Sequence, residues 1–142
     1  LVEQTTPIAH RFWDEVASVS DIRFVDQDLD PVDLGGMVYW TPPPTARRVD
    51  VYRLYLAGEE EVPTEKSQIG PNVPVGTDET LTPAETQPLD FTRFVVFTQS
   101  TLVEQTTPVG FHPVDKTSPV QNVSFHDYDL DETDVFADIF WE

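Results

Sequence analysis

The sequence predicts an all-β chain built from two packed antiparallel sheets. Three observations carry that prediction. Apolar side chains recur at every second position in Ile22 and Phe24, Val38 and Trp40, Tyr52, Leu54 and Leu56, and Phe94, Val96 and Thr98. That is the period of a half-buried strand. Thirteen Pro and 6 Gly, together with acidic turns, break the chain at short intervals. No segment keeps the 3.6-residue period of an amphipathic helix, so sheet must pack on sheet.

An internal repeat organises the 142 residues. Leu-Val-Glu-Gln-Thr-Thr-Pro stands at 1–7 and again at 102–108, an offset of 101. The same offset, without a gap, lays Ile22 and Phe24 over Val123 and Phe125, and Trp40 over Trp141. It also lays Asp26, Asp28, Asp30 and Asp33 over Asp127, Asp129, Asp131 and Asp134. A fixed register of this length marks a tandem array. The predicted unit is one β-sandwich over 19–108, a tandem repeat of about 101 residues. Residues 1–18 read as the last strand of a preceding unit and a linker, 109–119 as a linker, and 120–142 as the first strands of a following unit. Leu1-Val2-Glu3 reads as the middle of a strand, so an excerpt or a processed product is expected.

The element at 20–26 follows from Ile22 and Phe24, and that at 35–41 from Val38 and Trp40, with Gly35-Gly36 marking a bulge or tight entry. Tyr52, Leu54 and Leu56 place a strand at 49–57. A short strand is expected near 66–69 and a strand region at 72–82. Phe94 and Val96 place one at 91–98, and the repeated heptamer predicts a last strand at 101–108.

Val38-Tyr39-Trp40-Thr41-Pro42-Pro43, followed by Val51-Tyr52-Arg53-Leu54-Tyr55, resembles the fibronectin type III pattern of Val-x-Trp-x-x-Pro and then Tyr-x-Val-x-Tyr. Thr92 to Thr98 is similar to that family's Thr-x-Tyr-x-Val-x-Ala strand, with Phe94 replacing the Tyr of its corner. The resemblance implies a fibronectin type III-like antiparallel β-sandwich. The acidic run, Gly-Gly-x-Val-x-Trp-Thr-Pro-Pro and the heptamer together resemble repeats of very large secreted proteins of single-celled algae. That likeness implies an extracellular or cell-surface array.

Composition narrows the function. Twenty-six acidic residues against 8 basic give a net charge of −18, which repels phosphate and argues against nucleic acid. No apolar run reaches the roughly 20 residues of a spanning helix, so no membrane insertion is expected. Zero Cys removes disulfides and thiol chemistry. No phosphate loop or nucleophile motif is present, and His10, His112 and His126 share no metal-ligand spacing. An enzyme is not expected, and no cofactor is required.

The acidic runs are the most specific polar feature. Alternate carboxylates in a turn can converge on calcium, which takes six to eight oxygens. This makes Asp26, Asp28, Asp30 and Asp33, with Asp127, Asp129, Asp131 and Asp134, candidate calcium ligands. The bland alternative is a solvated acidic turn. Strand alternation puts Asp26 to Asp33, Glu59, Glu60 and Glu61, and Glu85 with Asp90 at one pole. Arg47 and Arg48 fall at the other, so stacked units would bring opposite charges together. Asn122-Val123-Ser124 is an N-glycosylation sequon. Val51, Tyr55, Val95 and Phe97 lie on the outer faces of neighbouring strands and predict an apolar lateral interface between copies. The expected function is a structural repeat of an acidic extracellular fibre, filament or appendage, whose partners are neighbouring repeats and lateral copies. The alternative is an adhesion module that holds a glycan or protein.

Overall fold

The structure, a computed structural model, describes residues 5–133 and 135–142. Seven strands form two antiparallel sheets. The first sheet orders β1 (Ser20–Phe24), β2 (Leu34–Thr41) and β5 (Glu79–Thr86) as β1-β2-β5. The second orders β3 (Val51–Ala57), β4 (Lys66–Pro74), β6 (Arg93–Gln99) and β7 (Val109–Phe111) as β4-β3-β6-β7. A separate hairpin pairs β8 (Ser124–Asp127) with β9 (Ala137–Phe140). No helix among the described residues is long and apolar enough to cross a membrane.

Period two decides which side chains enter the core. Ile22, Phe24, Val38 and Trp40 come from the first sheet, and Tyr52, Leu54, Leu56, Phe94 and Val96 from the second. Aromatic rings lock the sheets face to face: Phe24 meets Phe94 edge-on at 4.9 Å, and Trp40 meets Tyr52 at 5.5 Å. Gly36 enters β2 at φ 143°, where the register with β5 shifts. A Cβ there would lie 2.7 Å from the Val25 carbonyl oxygen, so the bulge needs glycine.

Three expectations are corrected. Residues 101–108 do not form a strand. Ser100 Oγ accepts from the Leu102 and Val103 amides, and only a Gln99–Glu104 bridge follows before β7 begins at Val109. The last strand therefore lies in the stretch expected to be linker. Residues 1–4 of the corresponding first heptamer fall outside the described residues. The regions expected at 66–69 and 72–82 are instead a longer β4, bulged between its pairings with Tyr52 and Leu54, and a β5 that runs to Thr86.

The outer face of the second sheet is the third correction. Tyr55, Val95 and Phe97 are buried, with Ala57, in a satellite cluster, and Val51 is half-buried. Their own chain covers them. The Lys66 ammonium lies 3.7 Å from the Phe97 ring centre and 4.4 Å from that of Tyr55. Glu104, from the heptamer, pairs with Lys66, accepts from the Tyr55 hydroxyl at 2.8 Å and reaches Arg53 at 3.4 Å. The apolar stripe is thus capped by one half-buried carboxylate and two cations, and these residues offer no lateral interface.

Burial opposes ionisation of Glu104, but hydrogen bonds from Lys66 and Tyr55 outweigh it and hold the carboxyl below its ordinary range. Its stabilising contribution is therefore present at neutral pH and is lost as pH falls through the folded value, below the unfolded pKa of about 4.3. Glu104→Gln should cost about 2 kcal/mol at pH 7 and flatten the acid limb of the stability curve. Urea unfolding between pH 3 and 7 measures both.

Candidate functional site

The acidic loop between β1 and β2 is the most organised polar feature of the fold. Its carboxylates alternate because each one caps a backbone amide two residues ahead. Asp26 Oδ1 accepts from the Asp28 amide at 3.2 Å, and Asp28 Oδ1 accepts from the Asp30 amide at 3.3 Å. The remaining acceptor sites reach across the fold. Asp26 Oδ1 also takes the Gly35 amide at 3.0 Å, and Asp26 Oδ2 takes the Lys116 amide at 2.9 Å. Asp28 Oδ2 takes the Glu85 amide at 2.7 Å, at the end of β5. Asp26 is only 4% exposed, and three N–H groups hold its charge there.

The chain after β7 docks onto this loop. Besides the Lys116 contact, Asp115 Oδ2 accepts from the Val32 amide at 2.8 Å, and the Ser118 amide donates to the Leu29 carbonyl at 3.2 Å. Val32 sits at φ 73°, a costly conformation for a β-branched residue.

The four expected calcium ligands do not converge. The carboxylate oxygens that approach within 4.8 Å of one another belong to Asp28, Asp30 and Glu85. Strand alternation put Glu85, from β5, at this pole, but the ligand spacing did not include it. The charges of Asp28, Asp33 and Asp30 push the Glu85 carboxyl above its ordinary range. Asp33 is buried, and its Oδ1 has no hydrogen-bond partner. Asp28, Asp30 and Glu85 are therefore the residues that could hold a hard cation, whereas Asp26 is committed to backbone amides.

The second acidic run repeats the local pattern. Asp127 Oδ1 accepts from the Asp129 amide at 2.9 Å and the Phe136 amide at 3.3 Å, and Asp129 Oδ1 accepts from the Asp131 amide at 2.9 Å. Each bond lies 101 residues from its counterpart. Asp134 falls outside the described residues.

At the opposite pole, residues 14–17 line a cleft of about 450 Å³ with Arg48, Thr98 and Gln105. The Thr98 hydroxyl donates to the Ala17 carbonyl at 2.7 Å. The Gln105 amide group bridges Thr98 Oγ1 at 3.1 Å and Ser18 Oγ at 2.6 Å. Arg47 and Arg48 both pair with Glu15, at 2.5 and 3.0 Å. The acids at 59–61 work differently. Glu59 accepts from Thr92 and stands 3.1 Å from His112 Nε2, and hydrogen bonds from these two hold its carboxyl below the ordinary range. Glu60 accepts from Thr64. Asn122 is exposed at φ 53° and donates to Glu142 at 2.9 Å. It occupies the left-handed position that Asp21 takes at φ 49° in the first copy, a conformation Asn and Asp tolerate best.

No known protein family, curated protein or solved structure matches the chain.

Two substitutions separate the roles of these carboxylates. Asp26→Asn would turn an N–H toward the Lys116 amide and should cost about 1.5–3 kcal/mol. Asp30→Asn should be neutral or slightly stabilising, because it relieves repulsion at Asp28 and Glu85. Thermal unfolding in calcium-free buffer measures both. A larger loss for Asp30→Asn would contradict the assignment.

Proposed function

We propose that the chain is a structural repeat of an acidic extracellular fibre, made of fibronectin type III-like sandwiches in tandem. One observation carries this reading. The hairpin β8–β9 keeps the register of β1–β2, yet the side chains equivalent to the core stand bare. Arg23 pairs with Tyr39 and Ser124 with Phe140; Phe24 pairs with Val38 and Phe125 with Ile139. Gln121 and Glu142 exchange backbone hydrogen bonds at 2.8 and 2.9 Å, as expected of the pair equivalent to Ser20 and Thr41.

Exposure separates the copies. Trp40 is 3% exposed and Trp141 64%; Val38 is 0% and Ile139 57%. A two-stranded hairpin with a bare apolar face is marginal in water. It matches the first two of the sandwich's seven strands, and a second sheet like β4-β3-β6-β7 would cover its face. The three-on-four strand order also agrees with the fibronectin type III resemblance. Units that contact mainly their neighbours make a rod, and a net charge of −18 favours solubility of an exposed filament.

Immunogold electron microscopy with antibodies against this chain tests the reading on native material. Label should follow extended filaments outside cells at a regular spacing. Label confined to the cell interior, or to isolated globular particles, would contradict it.

A further inference from the structure

The structure holds the same segment of the repeat in two different settings. Residues 14–18 lie before the sandwich, against the pole formed by Arg47, Arg48, Thr98 and Gln105. Residues 115–119 are their counterparts at an offset of 101 and lie after it. There Asp115, Lys116 and Ser118 are bound by the acidic loop. One segment thus has a partner on the unit that precedes it and another on the unit that follows.

The two sets of bonds use different atoms. The preceding unit takes the Asp115 carboxylate and the amides of Lys116 and Ser118. The following unit takes the carbonyl of Ala17, which is equivalent to Ser118, and the side chains of Glu15 and Ser18. No donor or acceptor atom is claimed by both sets, so neither set of bonds uses up a group the other needs.

From this we propose that each junction is a two-sided clamp: one linker is bound simultaneously by the acidic loop of the unit before it and by the Thr98–Gln105 pole of the unit after it. This inference rests on the tandem-repeat reading above. Half of the linker groups in the clamp are backbone groups. Lys116 stands where the first linker has Glu15, and Pro119 where it has Ser18. The side-chain contacts to Arg47, Arg48 and Gln105 therefore change from one junction to the next. The bonds through the amides of 116 and 118 and the carbonyl equivalent to Ala17 do not depend on side-chain identity. The consequence is a fixed angle between consecutive units in place of a flexible string.

Joining residues 1–119 directly to residues 19–142 continues the repeat in register and supplies two complete units with one natural junction. Residual dipolar couplings should fit a single alignment tensor for both units. Thr98→Val in the second unit, or Asp115→Ala at the junction, should split the fit into two tensors. Neither change removes a core side chain of the first sandwich. If both units fold but already tumble independently in the parent, the clamp is wrong and the repeat reading stands. If both variants keep the single tensor, the clamp is also wrong. If the second unit fails to bury its Trp40, the repeat reading falls and takes the clamp with it.

Discussion

The Asp26 carboxylate is the interaction on which the rest depends. It collects the amides of Asp28 in its own loop, Gly35 at the start of β2, and Lys116 in the chain that leaves the sandwich. Burying a charge is costly unless hydrogen bonds replace its water, and three backbone donors do so here. An amide side chain can accept but also presents donors, and a hydroxyl has too few acceptor sites. Only a carboxylate can serve three N–H groups that arrive from both sides.

This changes the meaning of the negative charge. A net charge of −18 suggests a repelling surface, but the most regular acids are structural acceptors turned toward the backbone. Glu104 plays the corresponding part on the second sheet, where it seats Lys66 over two aromatic rings. In the second heptamer, Glu104 covers the outer cluster, and Gln105 meets Thr98 and Ser18 just before β1.

Much of the fold was legible in the residues. Alternation located β1, β2, β3 and β6 and identified Trp40 and Tyr52 as core, because a face buried against another sheet imposes period two. Gly35-Gly36 announced the bulge, because no side chain fits beside Val25. The last strand was misread because the heptamer's Val and Thr favour strands, although its polar side chains tie down a loop. The outer cluster was misread because its cover, Lys66 and Glu104, arrives from segments 38 residues apart. The role of the acidic run left a local trace: carboxylates two residues apart are the spacing at which each caps the next amide. Strand alternation placed Glu85 at the same pole, but spacing could not reveal that its amide, and that of Lys116 from the far side of β7, would bond these carboxylates.

Amide hydrogen exchange at Lys116, Gly35 and Ser118 in calcium-free buffer tests the central claim most directly. If carboxylates and carbonyls of the acidic loop hold these amides, all three should exchange slowly, with protection comparable to the amides of β2. Protection at Lys116 should vanish in Asp26→Asn while that of β3 and β6 persists. Exchange of Lys116 and Ser118 at the rate of an open chain, in a molecule whose β-sheets are fully protected, would contradict the account. The acidic loop would then be a solvated turn with no hold on the linker.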